Sequence, residues 1–66
     1  MMGLDKYKID ILMAKKQFNR KDLLKEAGIS DFTYYKCFER GTSPKNVGKI
    51  AKALGVDVEE IIVKEE

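Results

Sequence analysis

Residues that start and stop helices recur at short intervals along this chain, and they constrain its fold more than any other feature. Asn19, Ser30, Ser43 and Asp57 each stand where a side-chain oxygen can accept from the open amides of a first helical turn. Gly28 and Gly55 each follow an apolar stripe and suit the left-handed residue that closes a helix. Strand-like alternation is almost absent between these marks. The punctuation predicts an all-α fold of five short helices.

The first helix is expected over about residues 5–17, where Ile9, Leu12, Met13 and the stem of Lys16 recur at helical spacing. Phe18 is expected to fold back on that stripe. Asn19 caps the second helix with Asp22 at its third position, and Leu23, Leu24 and Ala27 form its inner face up to Gly28 and the apolar Ile29. Ser30 caps the third, which turns Tyr34, Cys37 and Phe38 inward and Asp31, Phe32, Tyr35 and Lys36 outward. Arg40, Gly41 and Thr42 read as a loop. Ser43 and Pro44 open the fourth helix, since proline at the first position gives up no hydrogen bond. Val47, Ile50, Ala51 and Leu54 make its stripe, the cleanest in the chain, and Gly55 stops it. Asp57 and Glu60 form a capping-box-like pair for a fifth helix whose Val58, Ile61 and Ile62 close the core.

Sixty-six residues allow one domain, read as residues 1–66 with a core over about 5–63. A chain of this size buries only about 60% of its unfolded surface, which leaves no room for a large active site. The sequence has no histidine and one cysteine. An imidazole or thiolate metal cluster and the Ser-His and Cys-His nucleophilic pairs are thereby excluded. A single cysteine also forms no internal disulfide, which fits a reducing cytoplasm. Apolar runs of about 18 residues are missing, so no membrane span is expected, and no signal peptide is recognisable at the start. No cofactor, metal or small-molecule ligand is implied, and an enzyme ranks last among the function classes.

Net charge is only +2, yet it is unevenly placed. Residues 1–52 carry 12 Lys and Arg against 6 Asp and Glu, while residues 53–66 carry one Lys against five acids. A basic body with an acidic tail suits a polyanion on one face; a merely solvated surface is the alternative. Glu59, Glu60, Glu65 and Glu66 read as a solvated helix end.

Residues 20–39 describe a helix of about eight residues, a tight glycine turn and a second short helix. Such turns force a steep crossing, and a projecting helix fits the DNA major groove. Plain packing units share this shape.

The chain resembles the lambda-repressor-like, Cro-type helix-turn-helix regulators over roughly residues 9–62. The resemblance rests on Asn19-Arg20-Lys21-Asp22-Leu23-Leu24-Lys25-Glu26-Ala27-Gly28-Ile29-Ser30, on Ser43-Pro44, and on Val47-Gly48-Lys49-Ile50-Ala51-Lys52-Ala53-Leu54-Gly55-Val56. The step of 16 residues from Gly28 to Pro44 also matches. Four features depart from the family's habit: Arg20 stands for a usual Gln, Leu24 for a usual Ala, Tyr34 for a usual aliphatic residue, and the usual acidic residue before the basic-Gly pair is displaced by one, giving Glu39-Arg40-Gly41 after an unusual Phe38.

The resemblance implies a five-helix DNA-binding domain that regulates transcription, as a repressor, from double-stranded DNA. It places the start of the second helix, Arg20 and Lys21, against phosphates. It sets Asp31, Phe32, Tyr35 and Lys36 at base edges and nearby phosphates. Lys36 can donate to guanine, Phe32 can pack on thymine methyls or fold into the core, and Tyr35 can bond a phosphate or a base. Asp31 supports the helix start or accepts from cytosine N4. Thr33 reaches a phosphate or fills the turn. Arg40, Thr42, Ser43, Lys45 and Asn46 lie where the family clamps the backbone, with Ser43 also a cap. Tyr34 and Cys37 belong to the core.

The alternative is a degenerate helix-turn-helix that binds protein through the aromatic third helix. One such domain spans few base pairs, and the family pairs on two-fold operators. With no separate sensor or dimerisation domain expected, a weak homodimer through the C-terminal helix is anticipated, built on the apolar band Val58, Ile61, Ile62 and Val63. If Val58, Ile61 and Ile62 are all core, Val63 is simply a stray exposed residue.

Overall fold

A computed structural model describes residues 3–63. Glu65 and Glu66, expected in a solvated helix end, lie outside the described residues. Four α-helices follow in order: α1 (Lys6–Lys16), α2 (Arg20–Ala27), α3 (Asp31–Arg40) and α4 (Pro44–Leu54). A single 3-10 turn, Val58–Glu60, comes after them.

Every α-helix starts on a side-chain cap. Asp5 accepts from the amide of Lys8 at 3.2 Å. Asn19 and Asp22 form a reciprocal capping box, each side-chain oxygen accepting from the other's backbone amide at 3.0 Å. Ser30 accepts from Thr33 at 3.1 Å and Ser43 from Asn46 at 3.4 Å. Gly28 and Gly55 close α2 and α4 at φ of 72° and 71°, a left-handed conformation that strains any residue with a Cβ. Gln17 closes α1 at φ 59° without glycine's freedom. The turn it makes lets Phe18 donate to the carbonyl of Met13 at 2.8 Å and fold back half-buried.

α4 is the centre of the packing and touches α1, α2 and the 3-10 turn. Val47, Ile50, Ala51 and Leu54 are all buried. They meet Ile9 and Met13 of α1, Leu23, Leu24 and Ala27 of α2, and Tyr34 and Cys37 of α3 in one cluster. Leu24, unusual in size for its place, is accommodated at 8% exposure. Phe38 is only half-buried, edge-on to Tyr34 with centroids 4.9 Å apart.

The expected fifth α-helix is corrected to one 3-10 turn. Its start signal is real, since Glu60 accepts from the amide of Asp57 at 3.3 Å. The turn closes with the Ile61 amide donating to the carbonyl of Val58 at 3.1 Å, and the chain leaves the helix at the next residue. There Ile62 pairs antiparallel with Leu4. Asp5 donates to the carbonyl of Ile61 at 2.8 Å, and Val63 to that of Gly3 at 2.9 Å. Leu4, absent from the expected core, is buried by this pairing at 7% exposure. Arg40, expected in a loop, is the last residue of α3; Gly41 caps that helix on the carbonyl of Cys37 at 3.1 Å.

Candidate nucleic-acid interface

α2, a three-residue turn and α3 bring two helix starts together. Arg20 is the first residue of α2 and Asp31 the first of α3. A cation at a helix N-terminus is disfavoured by the helix dipole, and a carboxylate there is favoured. The crossing offsets the first with the second: Arg20 Nε lies 3.1 Å from Asp31 Oδ1. The same guanidinium donates to the Tyr35 hydroxyl at 2.6 Å and sits 5.6 Å from that ring's centroid. Arg20 and Asp31 side chains are 44% and 60% exposed, so the pair adds only about 0.2–1 kcal/mol to stability. Its consequence is geometric: the guanidinium is held on the outer face of α3.

One turn along that face, Phe32 is 71% exposed and Tyr35 50%. Lys36 Nζ stands 5.3 Å from the centroid of the Phe32 ring. Phe32 therefore does not fold into the core. Each exposed ring of α3 carries a cation: Arg20 on Tyr35, Lys36 on Phe32. The inner face holds the buried Tyr34 and Cys37. Burial, with the Asp10 carboxylate adding to it, pushes the Tyr34 phenol up to about 12. Cys37 donates its thiol hydrogen to the carbonyl of Thr33 at 3.1 Å.

The remaining expected contacts are scattered. Lys21, Arg40 and Lys45 are exposed on α2, at the end of α3 and on α4. Among the described residues, no side-chain bond ties them to the Arg20 cluster. Thr33 is half-buried, and its hydroxyl accepts from Ser30 at 3.0 Å, which serves the helix start. Asn46 donates to the buried Thr42 hydroxyl at 2.9 Å, and its amide completes the Ser43 cap. The sequence singles out Arg20, Asp31 and Tyr35, but for separate roles. That they form one unit, 11 and 15 residues apart, follows from the helix crossing.

A family model for the Cro/C1-type HTH DNA-binding domain matches residues 8–66. The chain belongs to that family. Neither the curated proteins nor the solved structures give a significant match. Membership in the Cro/C1-type family points to sequence-specific DNA binding and transcription regulation. No described helix of this Cro/C1-type domain is long and apolar enough to cross a membrane.

Proposed function

We propose that residues 1–66 act as a single Cro/C1-type domain that represses transcription in the cytoplasm by occupying an operator and blocking polymerase. The helix-turn-helix is α2–α3, with α3 in the major groove. One observation carries this reading: α3 turns two exposed aromatic rings outward, and each ring holds a cation over its face. An exposed apolar ring is unfavourable in water but complements a thymine methyl, and the neighbouring cations complement guanine acceptors and phosphates. Phe32 and Lys36 are the base readers, Tyr35 and Arg20 serve the phosphate edge, and Lys21, Thr33, Arg40, Lys45 and Asn46 are flanking backbone contacts. The same exposed rings support the second reading, a protein-binding α3. The cations over them weigh against an apolar partner.

Pairing on DNA is part of the proposal. Ile61 is fully buried, and Val58 and Ile62 are partly so, which leaves Val63 at 52% exposure as the apolar surplus of the C-terminal segment. Ile11, exposed on α1, lines a hollow with Leu12, Lys8 and Glu60 next to the 3-10 turn. A homodimer through so small a patch is weak in free solution and gains stability from a two-fold operator.

Selection of bound sequences from random duplexes by gel shift tests the function. The expected outcome is a defined motif, with retention lost on replacing Phe32 and Lys36 together by Ala. Absence of any retained duplex at low salt contradicts DNA binding.

A further inference from the structure

Asp31 puts a carboxylate on the face where phosphate is expected to lie. Two forces act on it. The positive end of the α3 dipole and the Arg20 guanidinium both attract it. Approaching DNA repels it, because a carboxylate can only accept hydrogen bonds and phosphate is also an anion. Arg20 is the group that both anions want. A guanidinium fork matches carboxylate and phosphate with the same geometry. In the free protein its Nε is committed to Asp31 at 3.1 Å, and a terminal nitrogen to the Tyr35 hydroxyl at 2.6 Å.

We propose that Asp31 is a specificity-determining residue: it competes with backbone phosphate for Arg20 and so weakens sequence-independent binding more than binding to a cognate site. This rests on the α2–α3 face being the DNA interface. On random sequence nearly all of the affinity comes from phosphate contacts. There, a guanidinium detained by Asp31 weakens a large part of what holds the complex. On a cognate site α3 seats fully, the base contacts of Phe32 and Lys36 add to the phosphate contacts, and an exocyclic amine such as cytosine N4 gives the carboxylate a donor. Tyr35 strengthens the competition, since its hydroxyl and ring both favour the guanidinium position that faces Asp31.

The test measures affinity by fluorescence anisotropy for a random-sequence duplex and for a duplex selected by the wild-type protein, across a range of salt. Wild type, Asp31→Asn, Arg20→Gln and the double variant are compared. Asp31→Asn is expected to tighten the random duplex roughly two- to fivefold, the strength of one exposed ion pair. Its log K against log salt should steepen by about 0.9, one further phosphate. The selected duplex should gain less, so the ratio of specific to random affinity falls. In the Arg20→Gln background the effect of Asp31→Asn should shrink, because the competitor's target is gone. Three results overturn the proposal: unchanged affinities and slopes in Asp31→Asn, an equal gain from Asp31→Asn whether or not Arg20→Gln is also present (bulk charge alone), or weaker binding to both duplexes. Should wild type bind neither duplex at low salt, the DNA reading of this face fails and takes the proposal with it. Thermal melting of each variant checks that it is folded.

Discussion

Replacing Ile61 by Ala tests whether the C-terminal segment belongs to the core. Ile61 is 0% exposed, and Val63, two residues on, is 52% exposed. Ile61 also anchors the chain ends, since its carbonyl accepts from Asp5 at 2.8 Å. That bond uses backbone only, so the substitution isolates the side chain. Truncating a fully buried Ile to Ala removes its transfer free energy and leaves a cavity, at about 2–5 kcal/mol. A domain of this size has only about 3–10 kcal/mol in total. Ile61→Ala should therefore remove about a fifth or more of the stability. At about 4–8 °C per kcal/mol for small domains, the melting temperature falls by roughly 10 °C or more. Val63→Ala should stay within about 0.5 kcal/mol. Urea unfolding of both variants at two protein concentrations measures this. A drop for Ile61→Ala of under about 1 kcal/mol refutes the packing argument, since it falls below the range for a truncated core residue. So does a drop that depends on concentration, which would make Ile61 an interface residue rather than core.

Phe32→Ala should weaken a selected duplex severalfold, and replacing the contacted thymine by uracil should weaken wild type by the same factor while leaving the variant unaffected. Equal sensitivity of both proteins to uracil would remove Phe32 from the methyl contact. The Tyr34 phenol, raised by burial from 10 to about 12, keeps a proton in the folded state that the unfolded chain gives up. Its contribution is complete below pH 10 and is lost as pH rises towards 12, at most about 3 kcal/mol for two units. Tyr34→Phe should lose less stability than wild type across that window in urea titrations, and parallel curves would contradict this. Sedimentation should find the free protein largely monomeric and two copies on a two-fold operator. One copy per duplex at saturation would exclude the dimer.

The α-helical architecture was readable because it is written in local chemistry. Asn19 with Asp22, Ser30, Ser43 with Pro44, and the glycines at 28 and 55 act within one turn of themselves, and each caps the helix end it marks. The inner faces followed from periodicity, with Val47, Ile50, Ala51 and Leu54 all buried. What escaped depends on distant partners. Asp57 and Glu60 signal a helix start as legibly as Asn19 and Asp22 do. Whether a helix propagates was decided by Leu4, which draws Ile62 into an extended pair. Leu4 itself, between Gly3 and Asp5, belongs to no helical stripe that would betray its burial. Arg40 looked like loop because Gly41 follows it, yet a glycine cap leaves the preceding residue inside the helix. On the candidate interface, the outward face of α3 was visible in the spacing of Phe32, Tyr35 and Lys36. The link from Arg20 to Asp31 and Tyr35 was not, because it arises from the angle at which two helices cross.

On the proposed reading, the α2–α3 face grips duplex DNA through its cations and reads it through Phe32 and Lys36. Titrating a selected duplex against salt, with wild type and with Lys36→Ala, tests this most directly. Log K for wild type should fall linearly with log salt at about 0.9 per phosphate contacted. Lys36→Ala should cost about 1–3 kcal/mol and relax the sequence preference at one base pair, as loss of a base contact does. Binding that is indifferent to salt, or a Lys36→Ala variant with unchanged affinity and sequence preference, would contradict it.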